Sequence, residues 1–220
     1  PTSTEKEPLL RFNRTITVLS CLLAILTLSC GKKAAGPRLF VIGLDGATFD
    51  LLQPWLDKGE LPNLKGLMDA GVHGELRSVY PCLSPVAWTS AATGVLPGKH
   101  GIFDFERPDP DEPGKSLLYT SDYRRAIPVW KTLSDAGKSV GVLNVPMTWP
   151  PDDVNGVMVS GFPFPDNPKI EYTYPKSLQS SLGDYPLDRM GESLVKGAEG
   201  AMLDTIVNAR DQVARVFEDW

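Results

Sequence analysis

A carboxylate and a hydroxyl stand at the two positions of this chain that are best suited to chemistry. Asp45 ends the apolar run RLFVIGLD, and Ser84 opens the stretch SPVAWTSAAT. Open α/β sheets bind ligands beyond the carboxyl ends of their strands, and the start of a helix favours anions such as phosphate. A serine hydroxyl is a poor nucleophile at neutral pH unless a base or a metal ion activates it. A divalent ion held by Asp45 would provide that activation if the fold brings it to Ser84.

Ser84 also has a purely structural interpretation. A serine followed by a proline, here Pro85, is a frequent helix start, because the hydroxyl caps free N–H groups and proline needs no donor at the first helical position. In that case the hydroxyl bonds to its own helix and has no chemical role. Both interpretations stay open at the level of sequence.

Composition and charge limit the class of protein. The chain has 220 residues, of which 42% are hydrophobic and 22% charged, with a formal net charge of -5. These values are typical of one soluble globular domain preceded by a short segment. A nucleic-acid-binding surface needs a basic face to neutralise phosphates, so the acidic balance argues against one. An anionic substrate would need locally bound cations.

The pattern of apolar residues predicts strands alternating with helices. Continuous apolar runs predict buried strands at 38–46 and 138–145, and further strands are predicted at 71–79 and 155–162. Helices are predicted at 49–70, in two pieces interrupted by Pro54 and a turn, at 85–93 after the Ser84 cap, and at 127–137 and 199–217. The polar, proline-rich segment 106–116 predicts a loop. This alternation indicates an α/β fold with a mostly parallel sheet and helices on both faces.

The N-terminal segment has the pattern of an export signal. Arg11 and Arg14 precede a short apolar run, 15–30, that ends in small residues and Cys30. The ending resembles a bacterial lipoprotein signal, in which the acylated cysteine becomes residue one. We expect residues 1–30 to be the signal, Cys30 to carry the lipid that binds the membrane, and 31–38 to be a tether. The protein would then lie in the cell envelope; an uncleaved anchor helix is the alternative.

Four other polar or reactive residues need an interpretation. Cys82 is left without a cysteine partner if Cys30 is acylated, so no disulfide is expected. His100, in the turn PGKHG, fits a structural histidine, and His73 fits a surface position. Asn144 is predicted at a strand end on the same rim as Asp45, where it either contacts substrate or forms a turn.

Four segments together resemble a known family. They are VIGLDGATFD, LPNLKGLMDAG, YPCLSPVAWTSAATGVLPGKHGIFDF and GVLNVPMTWPPDDVNGVMVSGF. They are similar to the type I phosphodiesterase/nucleotide pyrophosphatase family of the alkaline phosphatase superfamily. The resemblance runs from Leu39 to the end of the chain, so residues 39–220 resemble the N-terminal portion of such a domain, incomplete at its C-terminus. In the family a Thr or Ser nucleophile is followed by a helix, Thr-Gly, Pro and His-Gly, and this order matches Ser84 to the nucleophile.

The resemblance implies a phosphoester hydrolase with two divalent metal ions, zinc in most members, with manganese or magnesium as alternatives. It implies that Asp45 and the Ser84 oxygen bind one ion, and that Ser84 attacks phosphorus and forms a phospho-enzyme intermediate. The substrate would be a small phosphoester. Ala87 stands where nucleotide-specific members carry an asparagine. The family's other metal ligands come later in sequence, so this chain would supply about half of one site.

Three alternatives bear on this resemblance. A phosphomutase or phosphomonoesterase of the same superfamily would share the Asp/Ser pair. A non-catalytic envelope lipoprotein would keep the sheet as a binding module, and the lack of further ligands favours it if the sequence is complete. A sulfatase would need Cys/Ser-x-Pro-x-Arg, and CLSPV, beginning at Cys82, has neither the proline nor the arginine at the required spacing.

Overall fold

A computed structural model of the chain describes residues 38–165, 167, 169–183 and 185. Tertiary contacts divide the chain into two units, Pro1–Ile42 and Gly43–Trp220. Only residues 38–42 of the first unit are described, and they contain no helix or strand. The predicted signal with Cys30, nearly all of the tether and the predicted helix 199–217 lie outside the described residues. In the part that is described, no helix combines the length and the hydropathy needed to cross a bilayer.

The helices of the second unit are largely those that the apolar spacing predicts. They are α1 (Phe49–Asp57), α2 (Pro62–Ala70), α3 (Ser84–Thr93), α4 (Pro97–His100), α5 (Val129–Asp135) and α6 (Ser177–Ser181). The two helical pieces expected at 49–70 are confirmed as α1 and α2. The expected interruption at Pro54 is wrong, because this proline lies inside α1. A proline within a helix removes one backbone hydrogen bond, and α1 keeps its helical path despite that loss.

The strands form a hairpin and a mixed sheet. They are β1 (Glu106–Pro108), β2 (Ser116–Leu118), β3 (Val140–Val145), β4 (Gly156–Ser160) and β5 (Thr173–Tyr174). Strands β1 and β2 pair antiparallel, so the ends of the predicted loop 106–116 are in fact strands. Both strands are largely exposed, so the sequence shows no alternation of apolar and polar residues that would have predicted them. In the second sheet β3 is parallel to β4, and β4 is antiparallel to β5. The α/β class is confirmed.

Strand β4 separates two apolar clusters. Met158 packs with Trp130 of α5 and Val142 of β3, while its neighbour Val159 packs with residues that follow β4. Both are almost completely buried. Successive side chains of a strand point to opposite faces, so apolar residues at both positions place this part of the sheet between two packed layers. This double burial is why the segment reads as a continuous apolar run in the sequence.

Two predicted strands are wrong. Neither 38–46 nor 71–79 forms sheet hydrogen bonds, and Leu39, Val41 and Leu76 are 79%, 85% and 96% exposed. An apolar run specifies a strand only when a neighbouring strand supplies the other half of the hydrogen-bond ladder. Within the described ranges no segment pairs with either run. The position of Asp45 therefore has to be explained by local turn geometry.

Candidate active site

Asp45 lies in a tight turn that leads into α1. Gly46 has φ +68°, a left-handed conformation that glycine adopts without steric cost. The Thr48 N–H donates to the carbonyl of Gly46 at 2.9 Å, and the Ala47 N–H donates to the carbonyl of Leu44 at 3.4 Å. The backbone thus reverses around Asp45, and its exposed carboxylate reaches the start of α3.

Ser84 is the first residue of α3, and its hydroxyl points to Asp45. The N-cap is Leu83, and no side chain caps the helix. The Ser84 hydroxyl donates to Asp45 Oδ2 at 3.0 Å, with Oδ1 at 3.4 Å. The interpretation of Ser84 as a helix cap is therefore wrong. The structure brings together the two residues, 39 positions apart, that the sequence singles out for chemistry.

A third side chain completes what we call the Asp45 cluster, which consists of Gly43, Asp45, Ser84 and Trp88. The indole Nε1–H of Trp88 donates to Asp45 Oδ1 at 3.3 Å. Trp88 follows Ser84 by four residues, so both side chains lie on one face of α3. The indole also lies against the backbone of Gly43. A side chain at this position would place its Cβ atom 2.2 Å from a ring carbon of Trp88. From the sequence alone, a tryptophan at position 88 fits either buried packing or a surface for stacking, and no pattern singles out Gly43.

The spacing of the oxygen atoms fits two ligands of one metal ion. Metal–oxygen bonds of about 2.0–2.2 Å place neighbouring ligand atoms of Zn²⁺ or Mg²⁺ about 2.9–3.4 Å apart. The separations of 3.0 and 3.4 Å between Ser84 Oγ and the Asp45 oxygens lie in that range. Among the described residues no group of three or more His, Cys, Asp or Glu side chains could hold a metal. The cluster thus offers oxygen atoms at the spacing of metal ligands, and a complete metal site would need further ligands.

His100 has the contacts of a structural histidine. It is completely buried at the end of α4. Its Nδ1 accepts the Ile102 N–H at 3.1 Å, so Nε2 carries the hydrogen and donates to the Ser90 hydroxyl at 2.9 Å. Burial lowers the pKa of His100 below its ordinary value. With both ring nitrogens occupied, His100 neither ligates a metal nor acts as a base toward Ser90.

Asn144 lies near the end of β3, where its backbone conformation and a hydrogen bond from Tyr185 fix its side chain. It has φ +53° and sits at an irregularity in the β3–β4 register. Its side-chain oxygen accepts a hydrogen bond from the Tyr185 hydroxyl at 2.7 Å, and burial raises the pKa of Tyr185 to about 12. This geometry agrees with the turn-forming alternative, and substrate contact by Asn144 stays a prediction. His73 and Cys82 are exposed, as expected for His73.

The chain therefore combines an α/β fold with an alcohol at a helix start beside a carboxylate, an arrangement suited to covalent group transfer through that alcohol. The model of the family described as type I phosphodiesterase / nucleotide pyrophosphatase matches residues 39–214. The chain belongs to this family of phosphoric ester hydrolases.

Two curated relatives are similar to part of the chain. The human ectonucleotide pyrophosphatase/phosphodiesterase family member 1 is 29% identical over 138 residues, which cover 59% of this chain and 14% of the relative. Member 3 from Bos taurus is 29% identical over 132 residues, covering 56% of this chain and 14% of the relative. The chain thus spans about one seventh of the length of each relative.

The burial of neutral His100 predicts a dependence of stability on pH. The unfolded chain takes up a proton near the ordinary histidine pKa of 6.5, whereas the folded protein resists it. Since the unfolded state then binds more protons, the free energy of unfolding falls as the pH drops below that value. We expect urea unfolding at pH 7.0 and 5.5 to show a smaller loss of stability in His100→Gln than in the wild type.

The chain offers a matched control in its other histidine, the exposed His73. His73→Gln should lose as much stability between the two pH values as the wild type does. An equal loss in His100→Gln and the wild type would contradict the proposed origin of the pH dependence.

Proposed function

We propose that this chain is part of an exported, metal-dependent phosphoester hydrolase of the phosphodiesterase type, with Ser84 as its nucleophile. The observation that carries the proposal is the hydrogen bond from the Ser84 hydroxyl to Asp45 Oδ2, at 3.0 Å. It joins the two residues that the family resemblance assigns to nucleophile and metal ligand. Family membership supports the reaction class, and this contact supports the assignment of residues.

The negative charge of a phosphoryl group has to be stabilised by hydrogen-bond donors or by a cation. Pro85 has no N–H, and the N–H groups of Val86 and Ala87 bond to the carbonyl of Leu83. The first turn of α3 therefore offers few backbone donors to a phosphate, although its dipole still favours negative charge. A bound divalent ion would stabilise the alkoxide of Ser84 and the charge that develops at phosphorus. Zinc is our first choice, and oxygen ligands also suit manganese or magnesium.

The residues of this chain then have distinct roles. Asp45 accepts the hydrogen of Ser84 and orients Oγ, and it would contribute carboxylate oxygens to the cation. Ser84 Oγ would form a bond to phosphorus as the bond from phosphorus to one ester oxygen breaks, and the released alkoxide would take up the proton that Ser84 loses. The serine would then carry the phosphoryl group with its remaining ester. Water would attack this intermediate, release the phosphomonoester and restore the Ser84 hydroxyl. In-line displacement needs the nucleophile in a fixed orientation. The contacts of the Ser84 hydroxyl with the two carboxylate oxygens of Asp45 provide that orientation.

The substrate is proposed as a small phosphodiester. Both curated relatives carry names that refer to nucleotide pyrophosphatase and phosphodiesterase activity. Ala87 has no side-chain amide to contact a nucleotide, so we do not propose nucleotide selectivity for this chain. Activity against phosphomonoesters would favour the alternative phosphatase or mutase function. A panel of both ester types, tested with several metals, distinguishes these functions.

The nucleophile assignment predicts that Ser84→Ala abolishes hydrolysis. In the full-length protein we expect the turnover of an aryl phosphodiester to fall by at least about 1000-fold, because the variant lacks the hydroxyl that would form the covalent intermediate. The melting temperature should change by only a few degrees, since the Ser84 hydroxyl does not cap its helix. Ser84→Thr keeps an alcohol at the position and should retain measurable turnover. Near-normal turnover in Ser84→Ala would rule out the assignment.

The ligand assignment predicts that Asp45→Asn lowers the amount of bound metal. Amide oxygens carry no net charge, so the variant binds a divalent cation less strongly than the carboxylate does. Elemental analysis of the dialysed full-length protein measures the metal directly. Asp50→Asn is a matched control, because Asp50 is an exposed carboxylate in the first turn of α1. Unchanged stoichiometry in Asp45→Asn would count against its role as a ligand.

We further propose that the protein is anchored to a bacterial membrane through acylated Cys30. The support is the sequence alone, in which basic residues and an apolar run precede this cysteine. Cys30→Ala should move the protein from the membrane fraction to the soluble fraction of the cell envelope, and it should prevent labelling with a fatty-acid analogue. Full labelling of the variant would show that Cys30 is not the acylated residue. Unlabelled wild-type protein that remains in the membrane would favour the anchor helix.

A further inference from the structure

The Asp45 carboxylate contacts two donors: the Ser84 hydroxyl is nearer to Oδ2 than to Oδ1, and the Trp88 indole contacts Oδ1. Oδ2 accepts the Ser84 hydroxyl at 3.0 Å, and Oδ1 accepts the indole N–H of Trp88 at 3.3 Å. Both donors come from one face of α3, one helical turn apart. The carboxylate is therefore fixed at two points, which restricts its rotation more than the serine contact alone would.

The indole also controls the backbone that carries Asp45. It lies against Gly43, two residues earlier, so closely that a Cβ there would be 2.2 and 2.5 Å from two ring carbons. Real contacts of a Cβ atom are essentially never this short, so any other residue at position 43 would displace the ring or the backbone. One side chain thus positions both the main chain before Asp45 and the carboxylate itself.

We propose that Trp88 is a positioning residue that holds the Asp45 carboxylate in the orientation required to bind a divalent cation. This inference rests on the proposed function. The indole N–H occupies one acceptor site on Oδ1, and the carboxylate retains further lone pairs for a cation beside Ser84. Hydrogen bonds to a metal-binding carboxylate orient it, and their loss typically weakens metal binding by about 10- to 100-fold.

A packing role alone makes a different prediction. If Trp88 only filled space against Gly43, a ring system of the same size without an N–H would preserve the function of the site. If the N–H matters, that ring system would fail. Trp88→Phe removes both the hydrogen bond to Oδ1 and the outer ring carbons that lie against Gly43. Replacement of Trp88 by 3-benzothienylalanine keeps the full ring system and removes only the N–H, so this second variant separates the two roles.

The test compares Trp88→Phe and the 3-benzothienylalanine variant with the wild type in the full-length protein. Zn²⁺ affinity is measured by equilibrium dialysis with elemental analysis, and kcat is measured on an aryl phosphodiester. We expect the Kd for Zn²⁺ to rise by about 10- to 100-fold. The metal-free protein should melt within a few degrees of the wild type. Trp130→Phe is the matched control, because the Trp130 N–H also donates to a carboxylate, that of Asp152, at 2.8 Å. It should leave the Kd unchanged.

The outcomes separate this inference from the proposed function. Metal loss in Asp45→Asn together with an unchanged Kd in Trp88→Phe overturns the positioning role alone. Unchanged metal in Asp45→Asn overturns the ligand role of Asp45 and the positioning role with it. If Trp88→Phe does not fold, Gly43→Ala provides the second test, because its methyl group would displace the indole or the backbone that carries Asp45. A folded Gly43→Ala protein with wild-type Kd would likewise overturn the inference.

Discussion

The hydrogen bond between Ser84 and Asp45 is the interaction on which the candidate site depends. It closes a loop of 39 residues with a contact between exposed side chains. Such a contact contributes little to stability, since water competes for both partners. Its geometry therefore has to be held by stronger constraints: the turn at Gly46, the rigid start of α3 and the contact between Trp88 and Gly43. The backbone at Gly46 and at the start of α3, together with the Trp88 ring, positions the side chains of the site. The hydrogen bond between Ser84 and Asp45 is a consequence of that positioning.

Much of this arrangement could be predicted from the sequence because it is local. The start of α3 follows from Ser-Pro, and its end follows from Gly94, which has φ +68°. The buried strands β3 and β4 follow from continuous apolar runs, and α5 ends before Gly137, as its spacing indicates. Even the pairing of Asp45 with Ser84 followed from residue types and from the family resemblance. Apart from that pairing, each of these features is encoded within about ten neighbouring residues.

What could not be predicted depends on partners distant in sequence. The runs at 38–46 and 71–79 have the composition of strands, yet no described segment supplies their ladder. Trp88 looked like a packing residue because periodicity cannot reveal that its N–H meets a carboxylate 43 positions earlier. Gly43 has an ordinary conformation, so no turn signal marks it; its small size matters only because a ring approaches the backbone. Both were missed because close approach is a tertiary property.

The negative charge of Asp45 is the reason why the proposed function includes a cation. Asp45 carries the only formal charge among its four residues, and that charge is negative. A phosphodiester is also an anion, so at about 4 Å the two would repel by about 1 kcal/mol in water and by more where water is excluded. An excess of acidic residues in the whole chain gives no compensating long-range attraction. In the proposed function, a cation between the carboxylate and the substrate would offset this repulsion. The contacts of Ser84 and Trp88 with Asp45 would then position oxygen atoms for that cation.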